Sequence, residues 1–282
     1  MADTESAPRL KAPAGTCDTH LHIYGSKDDY PEAPTSPFPA PFAPPEAYEK
    51  VMTRLGIDRA VVVQPSAYAK DNRCTMDAVA ALGKHRARAV VVVDTDVSDE
   101  TMQSLTEQGA VGIRFHMLPG GVLPWDIIEE MAAKVTAYGW HVQLQLDGRL
   151  FPEKEAVIRR LPGNLVIDHT GKFLEPVTTD DPAFKVMLDL VARGNTWVKL
   201  SAPYETSKVG PPTYDDVGAL AKALIAAAPE RMMWASNWPH PSAQPNPPDD
   251  AMLLDMMLDW CPDDAVRQKI LVDNPAEVYG FK

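Results

Sequence analysis

Short apolar runs rich in β-branched residues recur at Cys17 to His22, Ala60 to Gln64, Ala89 to Asp94, Val111 to Phe115, His141 to Leu146, Leu165 to Asp168, Thr196 to Leu200 and Met232 to Ser236. Runs of this length bounded by turn residues predict strands, eight of them. Between them, apolar positions three and four residues apart predict helices over Glu46 to Leu55, Thr75 to Lys84, Thr101 to Gln108, Trp125 to Tyr138, Ala183 to Ala192 and Tyr214 to Ala228. Alternation of strand and helix specifies a parallel sheet with crossover helices. Eight such units in about 250 residues fit a closed (β/α)8 TIM barrel better than an open sheet. An open doubly wound fold is the runner-up, and its dinucleotide-binding form is disfavoured because no G-x-G-x-x-G follows the first strand. One barrel domain is expected over 15–282, after a flexible tail at 1–14. The helical run Asp249 to Lys282 should pack beneath or beside it.

One segment breaks the pattern. Seven of the 27 prolines fall between Pro31 and Pro45, where the missing backbone donors and fixed φ forbid a helix or inner strand. A linker would satisfy this composition, but Tyr24, Tyr30, Phe38 and Phe42 offer apolar anchors, so a stiff lid loop over an active site is expected near 31–45.

Composition narrows the function. The 282 residues are 45% hydrophobic and 23% charged, which excludes disorder and fibrous classes, and the net charge of −12 has the wrong sign for binding nucleic acid or an anionic membrane. The odd set Cys17, Cys74 and Cys261 suits a reducing compartment, and neither a leader nor a membrane-length apolar run is present, so a cytoplasmic protein is expected. A homo-oligomer is compatible with the sequence, which sets no oligomeric state.

In a barrel, chemistry collects at the carboxyl ends of the strands. Strand one ends Asp18-Thr19-His20-Leu21-His22, and alternation puts both histidines on one face, able to hold a metal or an anionic substrate. Strand two ends near Gln64 and Ser66, strand four at Arg114 and His116, and strand five at Gln143, Gln145 and Asp147. Strand six ends at Asp168-His169, strand seven at Lys199 with Ser201 and Tyr204 following, and strand eight at Ser236-Asn237-Trp238-Pro239-His240. Arg114, inside an apolar run, needs an anionic partner, either a structural carboxylate or a ligand. Arg114, Lys172 and Lys199, with Arg149 and His116 as weaker candidates, predict a cationic pocket for a carboxylated substrate. His85, in a basic surface stretch, and His141, at the start of a strand, read as ordinary.

In these residues the chain resembles the amidohydrolase superfamily: Asp-Thr-His-Leu-His, Val-Ile-Asp-His-Thr-Gly-Lys and Ser-Asn-Trp-Pro-His match its pattern in order, over nearly the whole chain. With Asp273-Asn274-Pro275-Ala276 they are similar to the branch containing 2-pyrone-4,6-dicarboxylate lactonase and D-galactarolactone isomerase. The likeness to the isomerase is greatest in Leu118-Pro119-Gly120-Gly121, Asp147-Gly148, His169-Thr170-Gly171-Lys172-Phe173 and Tyr204-Glu205-Thr206-Ser207. Two departures matter. Strand five offers Gln143 and Gln145 where metal-bearing members use histidine, and Asn237 stands where they carry aspartate. The resemblance therefore favours no cofactor, with a mononuclear zinc on His20, His22 and His169 as the alternative.

Asn237 can orient a nucleophile or bind an oxyanion but cannot take a proton from water. The resemblance thus implies isomerisation of a small carboxylated sugar lactone: a hydroxyl of the substrate attacks its own lactone carbonyl, and His22 or His240 takes the proton. His20, His22, His169, Asn237 and His240 are the expected catalytic residues, and Ser66, Arg114, Gln143, Lys172, Lys199 and Tyr204 the expected binding residues. Hydrolysis of such a lactone, a zinc-dependent amidohydrolase or decarboxylase, and a non-catalytic sugar-acid sensor are the competing readings.

Overall fold

The computed structural model describes residues 6–282. Eight parallel strands, β1 (Cys17–Leu21), β2 (Arg59–Val63), β3 (Ala87–Val91), β4 (Ala110–His116), β5 (His141–Gln145), β6 (Leu165–Ile167), β7 (Thr196–Leu200) and β8 (Met232–Trp234), stand in sequential order. Closure from β8 to β1 runs through Thr19 Oγ1 donating to Trp234 O at 2.8 Å, Asn237 N–H to His20 O at 2.9 Å and His22 N–H to Trp238 O at 2.8 Å. This is the expected (β/α)8 barrel.

Helices α1 (Pro45–Leu55), α2 (Arg73–Leu82), α3 (Asp99–Gln108), α4 (Ile128–Thr136), α5 (Phe151–Ile158), α6 (Pro182–Ala192) and α7 (Asp215–Ala227) alternate with the strands, and α8 (Asp250–Trp260), α9 (Asp264–Gln268) and α10 (Asn274–Tyr279) complete the chain. Local chemistry sets their ends. In α3, for example, Ser98 accepts the Thr101 N–H and Gly109 stops the helix at a φ of 112°. Helix α5 is a departure from the sequence reading. Only Phe151 and Ile158 of FPEKEAVI are buried, too few to write a helical stripe. β6 and β8 are also shorter than expected, because positive-φ residues at His169 and Asn237 turn the chain out of the barrel.

The lower barrel is apolar, filled by Cys17, Val61, Val90, Val166, Trp197 and Met233 and closed by Tyr279 and Phe281 of the C-terminal run, which lies beneath it as expected. The His141 ring sits 5.4 Å from that of Tyr279, at the end away from the chemistry, and His85 is exposed. Of the tail read at 1–14, residues 1–5 lie outside those described. Within 6–14, Leu10 is buried and its N–H donates to Asp255 of α8 at 2.8 Å. No helix of the described residues is long and apolar enough to cross a membrane.

Candidate active site

Of eight non-glycine residues with positive φ among those described, six (His169, Thr170, Lys172, Ala202, Asn237 and His240) follow β6, β7 and β8. Backbone strain of this kind concentrates where side chains must be aimed, and here it surrounds a cavity of about 220 Å³ at the barrel mouth. His22, Ser66, Arg114, His116, Gln145, His169, Lys172, Glu205 and Asn237 line it, with Pro37 and Phe38 of the proline-rich segment above. That segment is tied down by Ala33 N–H to Ala67 O at 2.7 Å, a Tyr24–Ala43 bridge and Tyr30 O–H to Asp77 at 2.8 Å. Phe42 is no anchor. It is 72% exposed, because Ala43 pairs with Tyr24 and the residue before it turns outward. The Leu118-to-Gly121 loop folds against the same wall, so closely that a Cβ on Gly121 would lie 1.7 Å from His116 O.

Beneath the cavity lies a buried polar layer. Gln143 of β5 and Lys199 of β7 flank Asp168, the first residue after β6. Lys199 Nζ donates to Gln143 Oε1 at 2.6 Å and sits 3.6 Å from Asp168, while Gln143 Nε2 donates to Asp168 Oδ2 at 3.0 Å. Burial would raise Asp168, but Lys199, His169 and Arg114 outweigh it and hold the carboxyl below its usual range. Burial in turn lowers Lys199 to about 8 despite Asp168. Gln143 and Lys199, expected to bind substrate, thus lie under the floor and hold each other.

Hydrogen bonding fixes the proton of His22 but pulls that of His20 two ways. His22 Nδ1–H donates to Val63 O at 2.8 Å, which leaves its Nε2 an acceptor 3.3 Å from His20 Nε2. His20 meets opposing demands: toward His22 it would donate from Nε2, while its Nδ1 lies 3.2 Å from Asp168 Oδ1, which calls for a proton there, and 3.5 Å and 3.4 Å from Lys199 Nζ and Gln143 Nε2. Burial lowers all three site histidines, His22 to about 3 and His20 and His169 well below the imidazole range, so each is neutral. His22 spends its lone pair on His20. His169 is the imidazole left open: Nδ1 pairs with Ser201 Oγ at 2.9 Å, and Nε2 makes no hydrogen bond among the described residues.

Arg114 is 5% exposed, and no carboxylate of the described residues lies within ion-pair distance. Its Nη1 donates to Gln64 O at 2.7 Å and its Nη2 to Gln145 Oε1 at 2.9 Å, while Nε has no partner. A buried guanidinium that lines a cavity with no carboxylate partner is arranged for an anion from outside. The other expected cations are compensated. Lys172 pairs with Glu205, and burial followed by Arg114 pushes His116 to about 4, so it is neutral. Arg149 does not line the cavity; Asp147, two residues before it, takes its Nη2 at 2.6 Å.

His240 does not reach the cavity either. Its Nε2 pairs with Asp250 Oδ1 at 2.9 Å and its Nδ1 with the Tyr204 hydroxyl at 3.0 Å, and Asn237 Nδ2 donates to that same hydroxyl at 2.8 Å. Burial and the Glu205 charge hold the Tyr204 phenol well above its usual range, so it stays protonated. Glu205 and Asp250 are partners that the sequence did not single out, and Asp168, expected at the end of strand six, was given no role there. Glu205 follows Tyr204 directly, but Asp250 lies ten residues after His240, and only the tertiary fold tells which side chain each carboxylate meets.

His20, Asp168 and His169 bring ligand atoms within 4.8 Å of one another, a group able to hold a metal ion. The surrounding charge does not suit zinc. The one carboxylate in the group already faces Lys199 at 3.6 Å, Arg114 is buried nearby, and the amide of Asn237 adds no anionic ligand.

The amidohydrolase family model matches residues 17–281. The chain is 37% identical to D-galactarolactone isomerase of Agrobacterium fabrum over 278 residues, covering 97% of this chain and 94% of that one. It is 32% identical to 2-pyrone-4,6-dicarboxylate hydrolase of Comamonas testosteroni, covering 97% and 93%. An apo crystal structure from Agrobacterium tumefaciens superimposes with a TM-score of 0.92 at 36% identity, over 98% of each chain. With the barrel, the His-x-His pair of β1 and the mouth histidine of β6 in place, the chain belongs to the amidohydrolase family of enzymes.

Proposed function

We propose that the enzyme isomerises a small carboxylated lactone by intramolecular acyl transfer, without a metal. The observation that carries this reading is the cavity's lack of a carboxylate base. At the end of β8 stands the amide of Asn237, and the one carboxylate lining the cavity, Glu205, is in an ion pair with Lys172. Arg114 would take the substrate carboxylate. A hydroxyl of the substrate attacks its own lactone carbonyl, forming a new C–O ester bond while the ring C–O bond breaks. His169 Nε2 accepts the hydroxyl proton and returns it to the departing oxygen, so no water is consumed. Pro37 and Phe38 over the cavity support the reading of 31–45 as a cover that keeps water from the same carbonyl. The three free, buried cysteines fit a reducing, cytoplasmic setting.

Hydrolysis is the second reading, since a neutral His169 could equally activate water and several relatives are named hydrolases. NMR of a panel of carboxylated lactones separates the two. Ring migration without net ring opening supports isomerisation; stoichiometric release of the open acid makes the enzyme a lactonase.

A further inference from the structure

Behind the cavity wall, four side chains form one hydrogen-bonded line in which, for a singly protonated His240, every proton has one consistent position. Asp250 is 6% exposed and His240 2%, and the carboxylate can only accept. The proton between them must therefore sit on His240 Nε2, 2.9 Å from Asp250 Oδ1. His240 Nδ1 is then an acceptor, 3.0 Å from Tyr204 Oη. Tyr204 has one proton, and His240 takes it. Its other neighbour at 2.8 Å, the Asn237 side chain, must therefore present an N–H. The reverse amide orientation would set Asn237 Oδ1 and His240 Nδ1 in competition for one hydroxyl proton. With Nδ2 committed to Tyr204, Oδ1 is the amide atom left for the cavity that Asn237 lines.

We infer that Asp250, His240 and Tyr204 are positioning residues that fix the polarity of Asn237, so that its Oδ1 faces substrate as a hydrogen-bond acceptor. Asn237 is then tuned to a substrate hydroxyl, the group that donates, and not to the carbonyl oxygen or a developing oxyanion. An acceptor there aligns the hydroxyl for attack while its proton leaves toward His169. Asp250 acts two side chains away from any substrate contact, through the tautomer it imposes on His240. The catalytic consequence rests on the isomerase reading; the direction of the relay does not.

The test begins on the whole protein without substrate. Long-range ¹H–¹⁵N correlation of ¹⁵N-histidine-labelled enzyme should find the His240 proton on Nε2 and none on Nδ1. A proton on Nδ1 overturns the proposal. In Asp250→Asn, whose amide can either donate or accept, the His240 signature should become a mixture of tautomers; an unmixed Nε2–H form there would mean that Asp250 does not set the relay. Tyr204→Phe should lower turnover of D-galactarolactone about tenfold or more, with KM within about twofold, because Arg114 still holds the carboxylate. Unchanged turnover in that variant overturns the positioning role. If wild-type enzyme does not act on D-galactarolactone, the isomerase reading fails, while the His240 tautomer still decides the relay.

Discussion

Asn237→Asp is the substitution most informative about the reaction. Asn237 is 2% exposed, and its Nδ2 donates to Tyr204 Oη at 2.8 Å. A carboxylate there turns a donor into an acceptor and strands the single Tyr204 proton between two acceptors, which costs about 1 kcal/mol. It also sets a buried negative charge across the cavity from the substrate carboxylate. At about 7 Å and an effective dielectric of about 20, the repulsion is roughly 2 kcal/mol. Together these amount to about 3 kcal/mol, or roughly a hundredfold loss in isomerisation. Some ring opening should appear in exchange, because the new carboxylate can take a proton from water. Both products are read in one NMR time course. A variant that isomerises within about threefold of wild type would sink the argument. A wild type that already hydrolyses well and is matched by the variant would make Asn237 a bystander and the enzyme a lactonase.

Arg114→Met removes the cation but keeps the length: KM for a carboxylated lactone should rise about a hundredfold, while the melting temperature stays level or rises, because the native state no longer buries an unpaired charge. A lower melting temperature with unchanged KM would make the arginine structural. Turnover should stay level as pH falls through the ordinary histidine range, since the site histidines are already neutral, and should decline as pH rises through about 8, where Lys199 loses its proton and Asp168 its ion partner. Stability should move the other way: with the folded-state value below the usual 10.5, the unfolded chain binds the extra proton between about 8 and 10.5, so this group makes folding more favourable as pH rises across that window. An alkaline loss that coincides with unfolding would refute the assignment. Chelation should leave turnover intact, and loss restored by added zinc would overturn the metal-free reading and make His20, His22, Asp168 and His169 the first residues to mutate.

How much of this was legible in the sequence depends on the range of the interaction. Strand alternation placed His20 and His22 on one face because the pairing is internal to β1. The carboxyl-end rule put His169, Arg114 and Asn237 at the mouth because it needs only strand order. Gln143 and Lys199 were placed correctly by strand and wrongly by depth. Whether a residue faces the cavity or the layer beneath it depends on register between neighbouring strands, and no local pattern encodes that. Arg149 failed for the opposite reason: its partner Asp147 was two residues away and in plain view, a local capture that a reading in search of ligand cations passes over. His240 lies three residues after Asn237, yet the turn at Asn237, with a φ of 65°, sends it behind Tyr204.

Charge compensation at the mouth leads to a prediction about substrate choice. Lys199 faces Asp168 and Lys172 faces Glu205, so each pair is close to neutral, and the site histidines carry no charge. Among the described residues, Arg114 is left as the one uncompensated charge around the cavity. A lactone with a single free carboxylate would neutralise it. A second carboxylate on the same small ring would find no free cation and would have to approach Glu205 or displace it from Lys172. At about 6–7 Å and an effective dielectric of about 20, the unpaired charge costs roughly 2 kcal/mol, about thirtyfold in kcat/KM. Galactarolactone, whose other carboxyl is tied up in the ring, meets this condition; a pyrone with two free carboxylates does not. Steady-state kinetics on the two ligands therefore discriminates between the relatives. Comparable kcat/KM for both would show that the Lys172–Glu205 pair opens to substrate, and Glu205→Gln should then favour the dicarboxylate further. If the pair stays closed, that substitution frees Lys172 and creates dicarboxylate binding where the wild type has little.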